Sequence, residues 1–329
     1  MTAPLVSIVM INWNGREHLS RCLPSIAAQT YRNYELVIVD NGSTDDSVAY
    51  IREHFPAVHL LRNDENLGFA IANNQGIAVT HGEFIVILNN DTQVELGWLD
   101  SLVAAAQSHP EMGAFACLVM FSDKRDVIDS AGLTVSVLGH GCQNRLGDTT
   151  VGTEEAKEVF GASATAAMFR RELLDDVGLF DEDYFIYYED VDLAWRARLR
   201  GWRSFLVPQA VVYHVHSATV GRGSPFKKRL LTRNRMWTTT KNFHFPAVLL
   251  FLPLMAAFEA AAVFVSLARG DHSALVGLWQ GIGGMRVALA KRARIQATKR
   301  VSFGHLARHM HWVRSPLATW QSHRKTGRL

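Results

Sequence analysis

The sequence predicts an α/β protein with a mainly parallel central sheet and helices on both faces. Two observations carry this reading. Short, continuously apolar, β-branched runs such as Leu36-Val37-Ile38-Val39 and Phe84-Ile85-Val86-Ile87-Leu88 have the character of strands buried on both faces. Helix-length segments alternate with these runs through the amino-terminal half, as in sheets built from β-α-β units. A strand over 5–11 precedes a helix from about Arg16 to Ala28, and a second strand covers 35–40. Thr44 or Asp45 is expected to cap the next helix, which runs to about His54 before a strand over 58–62. Gly68 to Thr80 reads as a helix, 84–88 as a strand, Gly97 to Ser108 as a helix and Ala114 to Met120 as a strand. Ser122 to Lys157 is polar and glycine-rich and reads as loops or a hairpin. No GxGxxG follows the first strand, which disfavours a dinucleotide-binding sheet.

Polar chemistry concentrates where these strands end. Phe84–Leu88 runs into Asn89-Asn90-Asp91, Leu36–Val39 into Asp40-Asn41-Gly42-Ser43-Thr44-Asp45, and Tyr187-Tyr188 into Glu189-Asp190-Val191-Asp192. Open α/β sheets bind ligands at the carboxyl ends of their strands. Three acidic elbows point to a site that handles a nucleotide, a divalent cation and a proton.

Composition adds bounds. A chain of 329 residues with 48% hydrophobic content suits one large domain with an appendage. Cys22, Cys117 and Cys142 cannot all pair and lack metal-ligand spacing, so reduced thiols in a cytosolic setting are expected. Met1-Thr2-Ala3-Pro4 leads straight into the first strand, so no signal peptide is expected. Charge is sharply divided. Residues 1–192 hold 11 Lys/Arg and 29 Asp/Glu, whereas 193–329 hold 23 Lys/Arg and only two acids, Glu259 and Asp271. The basic half is expected to face an anionic surface or substrate.

Phe245 to Leu267 is almost continuously apolar and, as a helix, would extend about 34 Å. Pro253 interrupts it, Glu259 would cost roughly 2–3 kcal/mol in lipid, and both flanks are basic. These features favour a broken helix or re-entrant hairpin in the cytoplasmic leaflet over a simple span, with basic arms on lipid headgroups. An ordinary helical hairpin packed on the domain is the alternative.

The ordered set of motifs resembles the inverting nucleotide-sugar glycosyltransferases of glycosyltransferase family 2, which have the GT-A fold. It comprises Val6 to Gly15, Val39 to Asp45, Asn66-Leu67-Gly68-Phe69-Ala70 with Asn73-Asn74, Asn89-Asn90-Asp91, Glu189 to Arg196, Gly201-Trp202 and Val212 to Ser217. The match spans roughly residues 5–240 and is most similar to rhamnosyltransferase-type enzymes of bacterial surface polysaccharides. The resemblance implies a GT-A catalytic domain over 1–240 and a helical, basic, membrane-associating region over 241–329.

Glycosyl transfer develops negative charge on the departing nucleoside diphosphate, so a cation must meet it. The resemblance makes Asp91 a ligand for Mg²⁺ or Mn²⁺, with His214 as second ligand and His216 as the alternative. Asn89 and Asn90 stand where many relatives carry further acids. Asp190 matches the family's base, and Glu189 beside it fits hydroxyl binding. Asp192 and Arg196 lie one helical turn apart and are expected to pair, while Asp190 in the first turn gains from the helix dipole.

For the nucleotide sugar, Asp40 is expected to accept from the base, with Asn12 beside it, Gly42 and Ser43 in a tight turn, and Asn66, Gly68, Asn73 and Asn90 lining the donor pocket. Gly161-Ala162-Ser163 resembles the acceptor-side turn. Trp195 and Trp202 stack on sugar or fill the core. Arg222, Lys227 and Lys228 hold a diphosphate or form a solvated or lipid-facing loop. The resulting expectation is transfer of rhamnose from dTDP-rhamnose to a polyprenyl-diphosphate-linked saccharide on the cytoplasmic face of the plasma membrane, for polysaccharide or cell-wall synthesis. A nucleotidyltransferase and a non-catalytic scaffold of the same fold are the rivals. A nucleic-acid module is disfavoured because the basic half lacks a recognisable binding motif.

Overall fold

In the computed structural model, residues 3–149, 155–215 and 224–311 are described. From the amino end the elements are β1 (Val6–Asn12), α1 (Arg16–Ala27), β2 (Tyr34–Asn41), α2 (Ser47–His54), β3 (His59–Asn63), α3 (Phe69–Ala78) and β4 (Phe84–Leu88). β5 (Thr92–Val94), α4 (Trp98–Ser108), β6 (Met112–Phe121), β7 (Ile128–Ala131), β8 (Leu133–Val135), β9 (Gly141–Gln143), β10 (Lys157–Val159), β11 (Ala166–Arg170) and α5 (Arg171–Val177) follow. The remainder is α6 (Glu189–Arg200), β12 (Arg203–His214), α7 (Pro225–Asn242), α8 (Ala247–Ala268), α9 (Ser273–Gly283), α10 (Met285–Thr298) and α11 (Phe303–Ala307).

Two compact units result. The first comprises Met1–Leu133, Gln143–Phe185 and Trp202–His216, and the second Thr134–Cys142, Ile186–Gly201 and Ser217–Leu329. The first unit contains a ten-stranded sheet ordered β10-β12-β6-β11-β4-β1-β2-β3, with β5 on β12 and β7 on β6. β4, β1, β2 and β3 run parallel, as do β6 and β12, while β11 is antiparallel to both β4 and β6. The expected strands are all present; the runs of β1, β4 and β6 are buried on both faces, whereas β3 at the sheet edge is partly exposed. Ile8, Met10, Ile38, Phe84, Val86 and Phe115 lie in one apolar core with Leu19, Leu23 and Trp98 from the covering helices. Each such buried side chain contributes about 1.5–3 kcal/mol. Register sets Asn12 directly beside Asp40 at the carboxyl ends of β1 and β2, which makes the first elbow.

One expectation is corrected in this unit and a second, loops or a hairpin over 122–157, is met in part. The amino-terminal cap of α2 is Asp46, which makes no side-chain capping bond. Asp45 instead accepts from Ser47 N with Oδ1 and from Arg16 N with Oδ2, so one short acid ties two helix starts together. Within the 122–157 segment, β7 adds to the main sheet against β6, and β8 with β9 forms a separate two-stranded ribbon.

The second unit is chiefly helical. α7 starts with Ser224, whose hydroxyl accepts from Lys227 N, followed by Pro225 in the first turn, so the basic arm is a regular helix. α8 runs unbroken through Pro253, which corrects the expected broken helix or hairpin. Proline removes one donor, but the surrounding Ala, Leu, Met and Phe are helix formers and outweigh that single loss. One stripe of α8 packs on its own unit. Phe251 meets Phe243 with ring centroids 5.9 Å apart, Phe258 meets His140 at 4.3 Å, and Glu259 takes both Arg235 nitrogens at 2.6 and 2.5 Å. The other stripe is apolar and open, with Leu250 at 76% and Phe264 at 72% exposure. By length and composition α8 is capable of crossing a membrane, yet its single acid is bound to a neighbouring helix.

Candidate active site

The first elbow is a web of short amides and hydroxyls around two glycines. Asp40 Oδ1 accepts from Asn12 Nδ2 at 3.0 Å and Oδ2 from Ser43 N at 3.1 Å. Asn12 Nδ2 also reaches Ser43 Oγ, and Asn12 Oδ1 accepts from Asn90 Nδ2 at 2.8 Å. Gly42 takes φ +78, and a Cβ there would meet the Glu65 backbone at 2.8 Å, so only glycine closes this turn. Asp40 has no exposed surface. It braces the turn from behind through its bonds to Asn12 and Ser43. Beside it, Asn66 Oδ1 accepts from Gly68 N and from Asn41 Nδ2, which joins the two predicted segments through a residue not predicted for the site.

The second elbow collects charge. Asp91 is 9% exposed, and its Oδ1 makes no hydrogen bond among the described residues, although His214 Nε2 lies 3.4 Å away. The other ring nitrogen of His214 contacts Asp129 Oδ2 at 2.6 Å. Burial lowers the His214 pKa, but the Asp91 charge and the bond to Asp129 raise it further, to about 10. Two acids around one imidazole therefore keep it protonated. No group of three or more His, Cys, Asp or Glu forms a metal cluster among the described residues. The donor set still fits a hard or borderline divalent ion: an open carboxylate oxygen, an imidazole nitrogen and a carboxylate behind that imidazole. A metal on Nε2 would take the place of its proton. His216, the alternative ligand, lies outside the described residues.

The third elbow lies in the second unit. Tyr187 and Tyr188 both adopt left-handed backbone, with φ 72 and 73, and α6 begins at once with Glu189 and Asp190. Such conformations cost non-glycine residues about 1–2 kcal/mol each. Glu189 is 6% exposed, and its Oε2 makes no hydrogen bond among the described residues. Burial first, and then the neighbouring Asp190 charge, push its pKa well above the usual carboxylate range. Asp190 Oδ1 accepts from Val191 N at 2.8 Å. The expected Asp192–Arg196 pair is present at 2.8 Å and is fully buried on the acid side. Lys241 Nζ at 2.9 Å and Asn242 Nδ2 at 2.8 Å, both on Asp192 Oδ1, extend it into a network.

Several other candidates have partners of their own. Asn73 Nδ2 bonds Phe69 O within α3. Trp195 is fully buried with its ring on Phe243, so core replaces sugar stacking there. Trp202 donates to Asp176 and packs over Gly113, again a structural place. Gly161, Ala162 and Ser163 are buried, Gly161 O accepting from Leu133 N and Ser163 Oγ from Gln143. Of the residues expected on a diphosphate or in a solvated or lipid-facing loop, Lys228 is paired with Asp271 at 2.6 Å and Lys227 lies over the Tyr187 ring. Arg222 lies outside the described residues. Asn41, and Asn14 whose Oδ1 accepts from Thr44 N at 2.8 Å, lie within the family motifs but had no role assigned to them. Asp129 lies outside those motifs, an acid flanked by Val127-Ile128 and Ala131 in a strand-like run.

Comparisons with known proteins bear on the family and the fold. The family model described as Glycosyl transferase family 2 matches residues 7–178. An N-acetylglucosaminyl-diphospho-decaprenol L-rhamnosyltransferase from Mycobacterium tuberculosis is 32% identical over 241 residues, covering 66% of this chain and 78% of the relative. The O-antigen biosynthesis protein RfbC of Myxococcus xanthus is 30% identical over 228 residues, covering 66% of this chain but 18% of that protein. Among solved structures, GalNAc-T7 with UDP, GalNAc and Mn²⁺ aligns with a TM-score of 0.60 at 19% identity, covering 73% of this chain and 48% of that one. A Pyrobaculum calidifontis mannosyltransferase with GDP-Man and Mn²⁺ aligns with a TM-score of 0.54 at 21% identity, covering 91% and 86%. These likenesses identify the fold as GT-A. With the family model matched over more than half its length, this chain belongs to glycosyltransferase family 2 and is a glycosyltransferase.

Proposed function

We propose that the chain transfers rhamnose from dTDP-rhamnose, with inversion, to a polyprenyl-diphosphate-linked saccharide during cell-wall or surface-polysaccharide synthesis. The observation that carries the chemistry is the carboxyl pair at the start of α6, a buried Glu189 of raised pKa beside Asp190. Asp190 takes the proton of the acceptor hydroxyl as that oxygen bonds to the anomeric carbon. The bond from that carbon to the diphosphate breaks, and the diphosphate leaves with the electron pair. Burial and the Asp190 charge favour the protonated form of Glu189, in which it donates a hydrogen bond to a hydroxyl. Asp91 and His214 would hold Mg²⁺ or Mn²⁺, which when bound neutralises charge on the diphosphate. The Asn12, Ser43 and Asn90 web and the Asn66–Gly68 turn would shape the nucleotide pocket.

The rhamnosyltransferase relative supports the donor and the lipid-linked acceptor. The open apolar stripe of α8 and the basic helices after it support work at a membrane, on its cytoplasmic face. Replacing Asp190 by Asn tests the base. Donor binding is expected to persist while turnover falls by on the order of 10²–10⁴. Near-normal transfer by that variant would overturn the assignment.

A further inference from the structure

We infer that Asn234 and Arg235 of α7, with Glu259 of α8, position the catalytic base by holding the strained turn that precedes it. This rests on Asp190 being the base. Two successive left-handed residues that are not glycine persist only when their surroundings over-determine them. The surroundings here are specific. Asn234 is fully buried, and its Nδ2 donates to Ile186 O at 3.0 Å and to Tyr187 O at 2.7 Å. Arg233 Nε donates to Asn234 Oδ1 at 2.8 Å, which fixes the orientation of the amide. Both amide hydrogens thus clamp the turn through its carbonyls, a task that neither Asp nor an apolar residue can perform.

Arg235, the next residue, holds the turn by its side chain. Its guanidinium forms the two-bonded pair with Glu259, and its charge acts on the buried Tyr188 phenol. Gly141 N donates to the same phenol at 3.3 Å. This explains a feature that the transfer chemistry leaves unused. Glu259 is the lone acid of an otherwise apolar helix and one of two acids after Asp192. Its place is to fix Arg235, and through it Tyr188, two residues before Asp190. At its far end α7 contributes Lys241 and Asn242 to Asp192, so the same helix grips α6 on both sides of the base.

The test compares Asn234→Ala, Asn234→Asp and Glu259→Gln in the full chain, with dTDP-rhamnose and a polyprenyl-diphosphate-linked N-acetylglucosamine as probes. A misplaced base is expected to lower kcat by about 10- to 100-fold in the Asn234 variants, leaving the donor KM within about twofold. Glu259→Gln, on a partly exposed helix, is expected to lower kcat by about three- to tenfold on the same logic. Glycine adopts φ near 72 without strain, so Tyr187→Gly in the Asn234→Ala background should recover kcat at least about fivefold. A merely structural Asn234 would lower the melting temperature without that rescue. Should the Asn234 variants fail to fold, Glu259→Gln decides by the same split between kcat and KM. Normal kcat in the folded variants, or loss that Tyr187→Gly does not relieve, overturns the inference. An inactive Asp190→Asn with a normal Asn234→Asp overturns it alone, whereas an active Asp190→Asn overturns the base assignment and this inference with it.

Discussion

The acid at the end of β4 and the acids at the start of α6 have different electrostatic settings. Asp91 faces an imidazole that a second acid, Asp129, holds in its protonated form, and one Asp91 oxygen has no hydrogen-bond partner among the described residues. Glu189 and Asp190 meet a helix amino terminus and each other, and burial pushes the pKa of Glu189 up. A carboxylate with an unbonded oxygen beside an imidazole is suited to a cation. Two adjacent carboxyls of unequal burial are suited to a proton. The same residue type thus does two jobs, and the difference lies in which partners the fold supplies.

Exchange experiments should break this symmetry. The largest expected effect is at the cation elbow. Asp91→Ala, or a chelator on the wild type, should reduce transfer by on the order of 10²–10³, with Mg²⁺ or Mn²⁺ restoring only the wild type. Asp91→Ala should also weaken nucleotide-sugar binding when metal is present, measured by calorimetry, which Asp190→Asn should not do. Full activity in excess chelator would mean that side chains alone neutralise the leaving group.

The next effect separates the ligand from its support. Asp129→Asn removes the charge behind His214 while keeping its shape, and metal affinity should fall by about 10- to 100-fold with the protein still folded. Unchanged metal titrations would show that Asp129 only fills space.

The helical unit should respond in stability. Lys241→Met leaves Asp192 with one cation fewer in a fully buried place, and urea unfolding should show a loss of about 3 kcal/mol. A loss below about 1 kcal/mol would place the pair among weakly coupled surface bridges.

The smallest effects belong to the open face of α8. Each Lys or Arg near an anionic surface contributes about 1 kcal/mol, so binding should favour anionic over neutral vesicles and weaken in salt. Leu250→Asp, at a position 76% exposed, should reduce vesicle flotation while leaving nucleotide binding unchanged. Equal flotation by both forms would remove α8 from the membrane-facing surface.

Much of this molecule was legible in windows of a few residues. The runs at 6–12, 34–41 and 84–88 announce their strands because burial on both faces leaves no room for polar alternation. The i,i+4 pair Asp192–Arg196 follows from helix geometry alone. The first two acidic elbows were visible because strand ends concentrate polar residues after apolar ones, and the third because an acidic run opens a helix. The cap of α2 and the continuity of α8 were misread, because each depends on one competing bond that its neighbours outweigh.

What the tertiary structure alone decided is pairing across long stretches of chain. Asp129 meets His214 85 residues later, Lys241 meets Asp192, and Asn234 holds Ile186 and Tyr187 from 48 and 47 residues away. No periodicity encodes these partners, since an acid on a strand reads alike whether its neighbour is water or an imidazole. Apolar burial and strand order choose the chain path, and that path then brings specific polar atoms within 3 Å. The sequence by itself determined which residues can carry charge, and the fold decided which charges are answered and which remain open for chemistry.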